Sequence, residues 1–234
     1  MKISIITISY NNVEGLKRTV KSVLNQSRYD SIEYLIIDGG SNDGTREFLS
    51  KLPKNVKWIS EVDRGISHAF NKGINLSSGD AILCLNSGDS FINNNVIEKV
   101  LKDWADDAVD ILSYRVKVTD GVYIPAIANE NLVYSSCTES HQGTFVKKDI
   151  YNLVGGYSEE FKIRMDYHFF ARCRKANVSF KYINEDIVEY EPGGTSMKLE
   201  NRIQFWKEGM AVKLQYDLKI GLKDIIKFIL YRKF

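Results

Sequence analysis

The sequence predicts an α/β fold in which a mostly parallel central sheet is flanked by helices. Three observations predict it. Over the first ninety residues, short β-branched runs alternate with segments of helical spacing in the order β-α-β-α-β-α-β, a pattern that builds right-handed crossovers with helices on both sheet faces. The run Ala81-Ile82-Leu83-Cys84-Leu85 is apolar on both faces, as a central parallel strand is. Each strand-like run ends in polar residues: Ser9-Tyr10-Asn11, Asp38-Gly39-Gly40-Ser41, Glu61-Val62-Asp63-Arg64 and Asn86-Ser87-Gly88-Asp89. In such sheets ligands bind outside the carboxyl ends of the strands, so these four segments share one candidate rim.

Taken in order, residues 3–9 form the first strand. Val13, Leu16, Val20, Val23 and Leu24 then fall on one helical face, with Asn11 read as the N-cap and Glu14 as its partner three residues on. Residues 34–37 are the second strand, 46–52 a short helix and 56–60 the third strand. Ile66, Ala69, Phe70 and Ile74 mark the next amphipathic helix. The second half changes character. Strands are expected at 110–118, 122–127, 180–183 and 187–190, helices at 147–153 and 166–176, and helix again from Leu199 onward.

Composition sets the limits. The chain has 234 residues, 44% hydrophobic and 26% charged, with a formal net charge of +2; that balance supports a sizeable core and argues against nucleic acid as a partner. Cys84, Cys137 and Cys173 are odd in number and widely spaced, so neither a zinc site nor a disulfide framework is expected, and the compartment reads as reducing and cytoplasmic. The N-terminus lacks a signal-peptide cleavage region and no apolar run reaches membrane-spanning length, so no transmembrane helix is expected.

The strand ends supply the candidate chemistry. In Asp38-Gly39-Gly40-Ser41-Asn42-Asp43-Gly44-Thr45 the glycines allow close backbone approach to a ligand and Asp38 can accept from a base imide or a ribose hydroxyl; the same residues also suit a plain strand–turn–helix corner capped by Ser41 or Asn42. The G-x-G-x-x-G fingerprint and the Walker A lysine motif are absent. Arg64 or Lys72, beside Asp63, offers a fixed positive charge to a diphosphate, or else a surface ion pair of little weight; His68 faces the same way and reads as a satisfied histidine. Asp89, with Asn86 before it, is placed to hold a hard divalent cation, Mg²⁺ or Mn²⁺, which needs only one or two protein carboxylates when substrate phosphates complete its shell.

Together, residues 3–12, 38–45, 63–73 and 86–89 resemble, in order and spacing, the nucleotide-binding half of the family 2 inverting glycosyltransferases, enzymes of the Rossmann-like GT-A fold. His141-Gln142-Gly143-Thr144-Phe145, Gly155-Gly156-Tyr157, Met165-Asp166-Tyr167 and Gly193-Gly194-Thr195-Ser196 resemble the acceptor half of its bacterial polysaccharide-building members, of the colanic-acid type. The resemblance implies a catalytic domain over 1–198, with a nucleotide-sugar half (1–90) and an acceptor half (91–198), followed by a helical extension over 199–234. It implies that Asp38 and Asp63 contact base and ribose with Ser9 and Tyr10 nearby, that Asp89 stands in the metal-binding acidic motif, and that Asp166 is the general base. Locally, Asp166 also reads as a cap for the helix that follows. His141 and Gln142 face the acceptor, or form a buried pair under a loop; residues 191–196 close over the donor, or merely connect. The sequence departs from the family at Asn86 and Gly88, which leave Asp89 as the one carboxylate of the motif.

The expected function is inverting transfer of a sugar from a nucleotide-diphosphate donor, with uridine favoured, to a saccharide or lipid-linked saccharide acceptor in cell-surface polysaccharide synthesis. A non-catalytic nucleotide-sugar-binding protein is the rival, and turnover separates the two. Residues 207–234 hold seven basic groups (Lys207, Lys213, Lys219, Lys223, Lys227, Arg232, Lys233) against Glu208, Asp217 and Asp224, with Ile225, Ile226, Phe228, Ile229, Leu230 and Phe234 among them. Such a helix rests on an anionic membrane, which here would be the inner face of the cytoplasmic membrane, or docks on its own domain or on a partner in a homodimer.

Overall fold

Helix-length connections between strands that are apolar on both faces leave parallel pairing as the economical solution. In the computed structural model, which describes residues 1–105, 109–118, 123–124, 139–194, 198–222 and 224–226, β1 (Ile3–Ser9) lies between β2 (Ile32–Asp38) and β4 (Ala81–Asn86), and β3 (Val56–Ser60) flanks β2. All three pairings are parallel, and the register sets Ser9 beside Asp38, Asp38 beside Ser60, and Ile8 beside Asn86. The polar strand ends are therefore level, on one rim.

The period of two along each strand divides the core. Ile3, Ile5, Tyr34, Ile36, Leu83 and Leu85 face one layer with α1 (Val13–Leu24), α2 (Thr45–Ser50) and α4 (Val96–Ala105). Ile6, Leu35, Ile37, Ile82 and Cys84 face the other, with α3 (Ile66–Leu76), α5 (Lys148–Val154) and α6 (Met165–Lys175). Cys84 and Cys173 are buried thiols, pushed by burial up to about 12; Cys137 lies outside the described residues.

Beyond β4 the sheet turns mixed. β8 (Thr144–Lys147) runs antiparallel to β4, β6 (Ile111–Val118) antiparallel to β8, β9 (Phe180–Tyr190) parallel to β6, and β5 (Ser90–Phe91) antiparallel to β9, with β7 (Tyr123–Ile124) on the side of β6. Several expectations change here. The two strands expected at 180–183 and 187–190 are one strand: its polar middle, Asn184 to Asp186, is taken up by a register shift at which Arg115 donates to Asp186 (2.8 Å) and Asn184 (3.1 Å). Lys147 ends a strand that the sequence reading missed rather than opening a helix. The cap of α1 is Asn12, whose Oδ1 accepts from the Gly15 N–H at 3.1 Å; Asn11, at φ 49°, instead ties the neighbouring loop through Ser41 and Asn42, while Glu14 pairs with Lys17. Of the strand expected at 122–127, residues 123–124 are β7 and the rest lies outside the described residues.

The helix expected from Leu199 is α7 (Arg202–Gln215), entered by a 3₁₀ turn and ended before Asp217, whose φ is 53°. Residues 227–234, with most of the proposed membrane-facing apolar groups, lie outside the described residues. Among the described residues no helix is long and apolar enough to cross a membrane.

Candidate active site

A cavity of about 1220 Å³ opens at the polar rim and is walled by both halves of the chain. On the donor-expected side stand Ser9, Tyr10, Gly39 and Asp63. Tyr10 is 69% exposed, a free ring at the cavity mouth, and the buried Ser9 hydroxyl has no hydrogen-bond partner among the described residues. A buried hydroxyl left unpaired at a cavity wall is costly unless something in the cavity satisfies it. Gly39 keeps this wall low: a Cβ there would lie 3.2 Å from an Asp63 carboxylate oxygen and 3.3 Å from the Tyr10 ring.

Two residues expected in the site stand outside its wall. Asp38 is fully buried, and its carboxylate accepts from the Ser41 N–H (3.1 Å), the Ser41 hydroxyl and the Ser60 hydroxyl (2.7 Å). It braces the strand-end loops that carry Gly39 and Gly40, because a buried carboxylate must be filled by donors and the nearest ones are in its own turn. Lys72 is turned onto Glu61 and Asp63, each at 2.7 Å, so its charge is already met; Nδ1 of His68 lies 3.1 Å from the same Asp63 carboxylate, which accepts. Arg64 does line the cavity, but its guanidinium is engaged by Glu159 through two hydrogen bonds of 2.9 and 2.8 Å.

Of the other five expected residues, Asp89, Asn86, His141 and Asp166 are brought together. Asp89 is 2% exposed, with Oδ1 accepting from the Glu191 N–H (3.1 Å) and Oδ2 from the Asn86 amide (3.2 Å). Burial raises its carboxyl to about 6 against the opposing pull of these contacts and of His141. The Asn86 amide nitrogen also lies 3.2 Å from His141 Nε2, and His141 Nδ1 lies 3.3 Å from Asp166 Oδ2. Nδ1–H of His141 donates to the Asp166 carboxylate. A single run of polar contacts thus crosses the cavity wall from Asp89 through Asn86 and His141 to Asp166. Asp166 sits in the first turn of α6 rather than at its cap. Burial pushes its carboxyl up, but the hydrogen bond and field of His141, the charge of Arg164 and the Tyr167 N–H outweigh that and hold it below the usual carboxylate range. Asp166 is therefore ionised at neutral pH. Gln142 is buried in the 3₁₀ turn His141–Gly143, its side-chain oxygen accepting from Ser140.

Sequence reasoning missed Glu191 as an organiser. It follows β9 and meets Arg18 in an ion pair, and Gly88 (φ 105°) leaves the room it fills, since a Cβ at Gly88 would fall 1.9 Å from its carboxylate. The two-residue strand β5 is what brings this segment over Asp89. No local pattern signals either.

Residues 4–173 match the profile of Glycosyl transferase family 2. The chain belongs to that family. This family 2 glycosyltransferase is 34% identical over 186 residues to an uncharacterized glycosyltransferase of Mycobacterium tuberculosis, an alignment covering 73% of this chain and 68% of that one. Among solved structures it is similar to residues 1–349 of TarS from S. aureus in complex with UDP-GlcNAc (TM-score 0.76, 15% identity, 100% of this chain and 71% of that chain). It is also similar to the mannosyltransferase PcManGT from Pyrobaculum calidifontis in complex with GDP-Man and Mn²⁺ (TM-score 0.71, 16% identity, 97% of this chain and 66% of that chain). These likenesses show the GT-A-type fold that the motifs imply.

Among the described residues, no group of three His, Cys, Asp or Glu side chains gathers to form an all-protein metal cage. At the end of β4 the cavity wall offers the buried Asp89 carboxylate, with the Asn86 amide beside it. A single carboxylate oxygen ligand suits Mg²⁺ or Mn²⁺ where substrate phosphates and water supply most of the shell.

Proposed function

We propose that this enzyme transfers a sugar, with inversion, from a nucleoside-diphosphate donor to a hydroxyl of a saccharide or lipid-linked saccharide, in the building of a cell-surface polysaccharide. The observation that carries the reading is the single cavity in which the Asp89–Asn86–His141–Asp166 contacts join the two strand-end systems. Ser9, Tyr10, Gly39 and Asp63 form the nucleoside end. The unpaired Ser9 hydroxyl and the free Tyr10 ring suit a polar, planar base, with uridine favoured. Asp89 and Asn86 would hold a divalent cation, which when bound offsets the charge of the departing diphosphate.

Asp166, already ionised, takes the proton of the acceptor hydroxyl. His141 orients the carboxylate and Asn86 orients His141, so the base is aimed through the same contacts that reach Asp89. The acceptor oxygen forms its bond to the anomeric carbon as the bond to the diphosphate breaks on the opposite face, and the nucleoside diphosphate leaves. The Glu191–Gly194 segment lines the cavity beside Asp89 and would exclude water from the donor. The basic segment from Lys207 would bring the enzyme to an anionic membrane carrying the acceptor.

Calorimetric titration with UDP, GDP, CDP and dTDP, each with and without Mn²⁺, tests the donor end. Tight, metal-dependent binding of one nucleotide, lost in Asp89→Ala, is the expected result; no binding to any of the four would sink it. Turnover with the matching nucleotide sugar then separates an enzyme from a nucleotide-sugar-binding protein.

A further inference from the structure

The motif reading assigns no role to Arg164, two residues before Asp166, yet it is the cation most deliberately built into the cavity. Three cationic side chains line it: Arg64, Lys162 and Arg164. Arg64 is engaged by Glu159 and Lys162 is exposed. The Arg164 guanidinium, half-buried, packs 4.5 Å from the Tyr167 ring centre and 4.3 Å from that of Phe205. No described group accepts a hydrogen bond from it, and its charge acts through space on the Asp166 carboxylate. Aromatic contacts engage the face of a guanidinium and leave its in-plane N–H donors free, the edge that meets phosphate or carboxylate oxygens.

α7 holds this group in place. Glu208, 5% exposed, accepts from three consecutive backbone N–H groups, those of Lys162 (2.8 Å), Ile163 (2.9 Å) and Arg164 (2.7 Å), and from Gln204. One turn away Phe205 supplies the ring, and Gly209 supplies the space, since a Cβ there would lie 3.2 Å from the guanidinium. Phe205, Glu208 and Gly209 fall at i, i+3 and i+4, hence on one helix face. The same face that sends Val212 into the core thus also fixes the 162–164 loop and seats the Arg164 guanidinium at the cavity wall.

We propose that Arg164, seated on Phe205 and Tyr167, binds an oxyanion of the acceptor, so that the enzyme takes an acceptor bearing a phosphate or a carboxylate near the hydroxyl that reacts. The acceptor is the source because Arg164 adjoins Asp166, whereas the donor diphosphate belongs with Asp89; the inference rests on the reading of Asp166 as the base. Phe205 at the same place offers a flat apolar surface to a sugar face.

The test titrates the full chain, saturated with UDP, with glucuronate, with glycerol 3-phosphate and with glucose as the neutral control, following the NMR signals of the Arg164 guanidinium and the neighbouring Trp206 indole. The two acids should shift both signals where glucose does not. Arg164→Gln should weaken acid binding by about tenfold or more, the loss of a charge-assisted contact, with Arg164→Lys recovering part of it and UDP affinity unchanged. Gly209→Ala, which keeps the charge and every loop hydrogen bond and favours the helix, should weaken acid binding in the same direction. Signals unmoved by either acid, glucose acting as well as glucuronate, or UDP affinity falling in Arg164→Gln would each overturn the proposal. A failure of the donor reading would show separately, as wild-type protein that binds no nucleotide.

Discussion

The two halves of the sheet carry their site residues in different ways. In β1–β4 every strand end is level with the next, and each polar segment sits at the end of its own strand. In β5–β9 the strands are mixed in direction, and the site depends on pairs far apart in sequence: His141 with Asp166, Asp89 with Glu191, Glu208 with residues 162–164. The first half is a platform whose geometry follows from its own repeat. The second half is an assembly, and its groups hold their positions only while their distant partners do.

The comparison breaks first at Asp166. Asp166→Asn should lower turnover by roughly 10²–10⁴ while nucleotide affinity by calorimetry stays within twofold; an equal loss of donor affinity would make Asp166 structural. Next is the platform itself. Phe70 of α3 is fully buried and stacks its edge near His141 and Tyr157; Phe70→Ala should cost about 3–5 kcal/mol in denaturant unfolding, with a visible loss of turnover because His141 loses its support.

A smaller effect separates a structural carboxylate from the proposed base. Glu33, at the opposite end of β2 from the cavity, is buried; burial raises its carboxyl, but Lys57, Ser4 and the Ser78 N–H and hydroxyl outweigh that and bring it to about 2 against an ordinary 4.5. A carboxyl depressed in the folded state stabilises fully above its unfolded value and loses that contribution as pH falls toward 2. Glu33→Gln should therefore cost roughly 2–3 kcal/mol at pH 7 by denaturant titration, and the gap to wild type should shrink as pH drops from about 4.5 to about 2, with kcat per folded molecule unchanged. The smallest effect is at Asn12, where Asn12→Ala removes the cap of α1 and should cost about 1 kcal/mol in thermal unfolding.

How much of this was legible follows the same division. The four parallel strands, α1 to α3 and the level rim were readable because hydrophobic period and strand-end polarity are local signals. Asp89, Asn86, His141 and Asp166 were named from motifs, yet their connection was not, since nothing in a linear pattern reports that an amide on β4 faces an imidazole 55 residues on. That Asp38 and Lys72 do not line the cavity has one cause. Composition marks a residue as polar and near the rim, but whether it faces the cavity or fills a neighbour's hydrogen bonds depends on side-chain direction. Asn11 and Asn12 differ by a single residue in the same turn, and only the backbone at φ 49° decides which one caps. Glu208 and Arg164 carried no local signal at all: a glutamate and an arginine among helical residues look like surface charge.

The long parallel pairing of β6 with β9 has a consequence in time. Strand Ile111–Val118 cannot complete its pairing until residues 180–190 have been made, and Asp89 cannot receive the Glu191 N–H before then. Parallel pairs across such separations form late, because the intervening chain must be ordered before the contact repays the loss of freedom. On a ribosome β1–β4 emerge before the residues that pair with the edge of β4 and cover one of its faces.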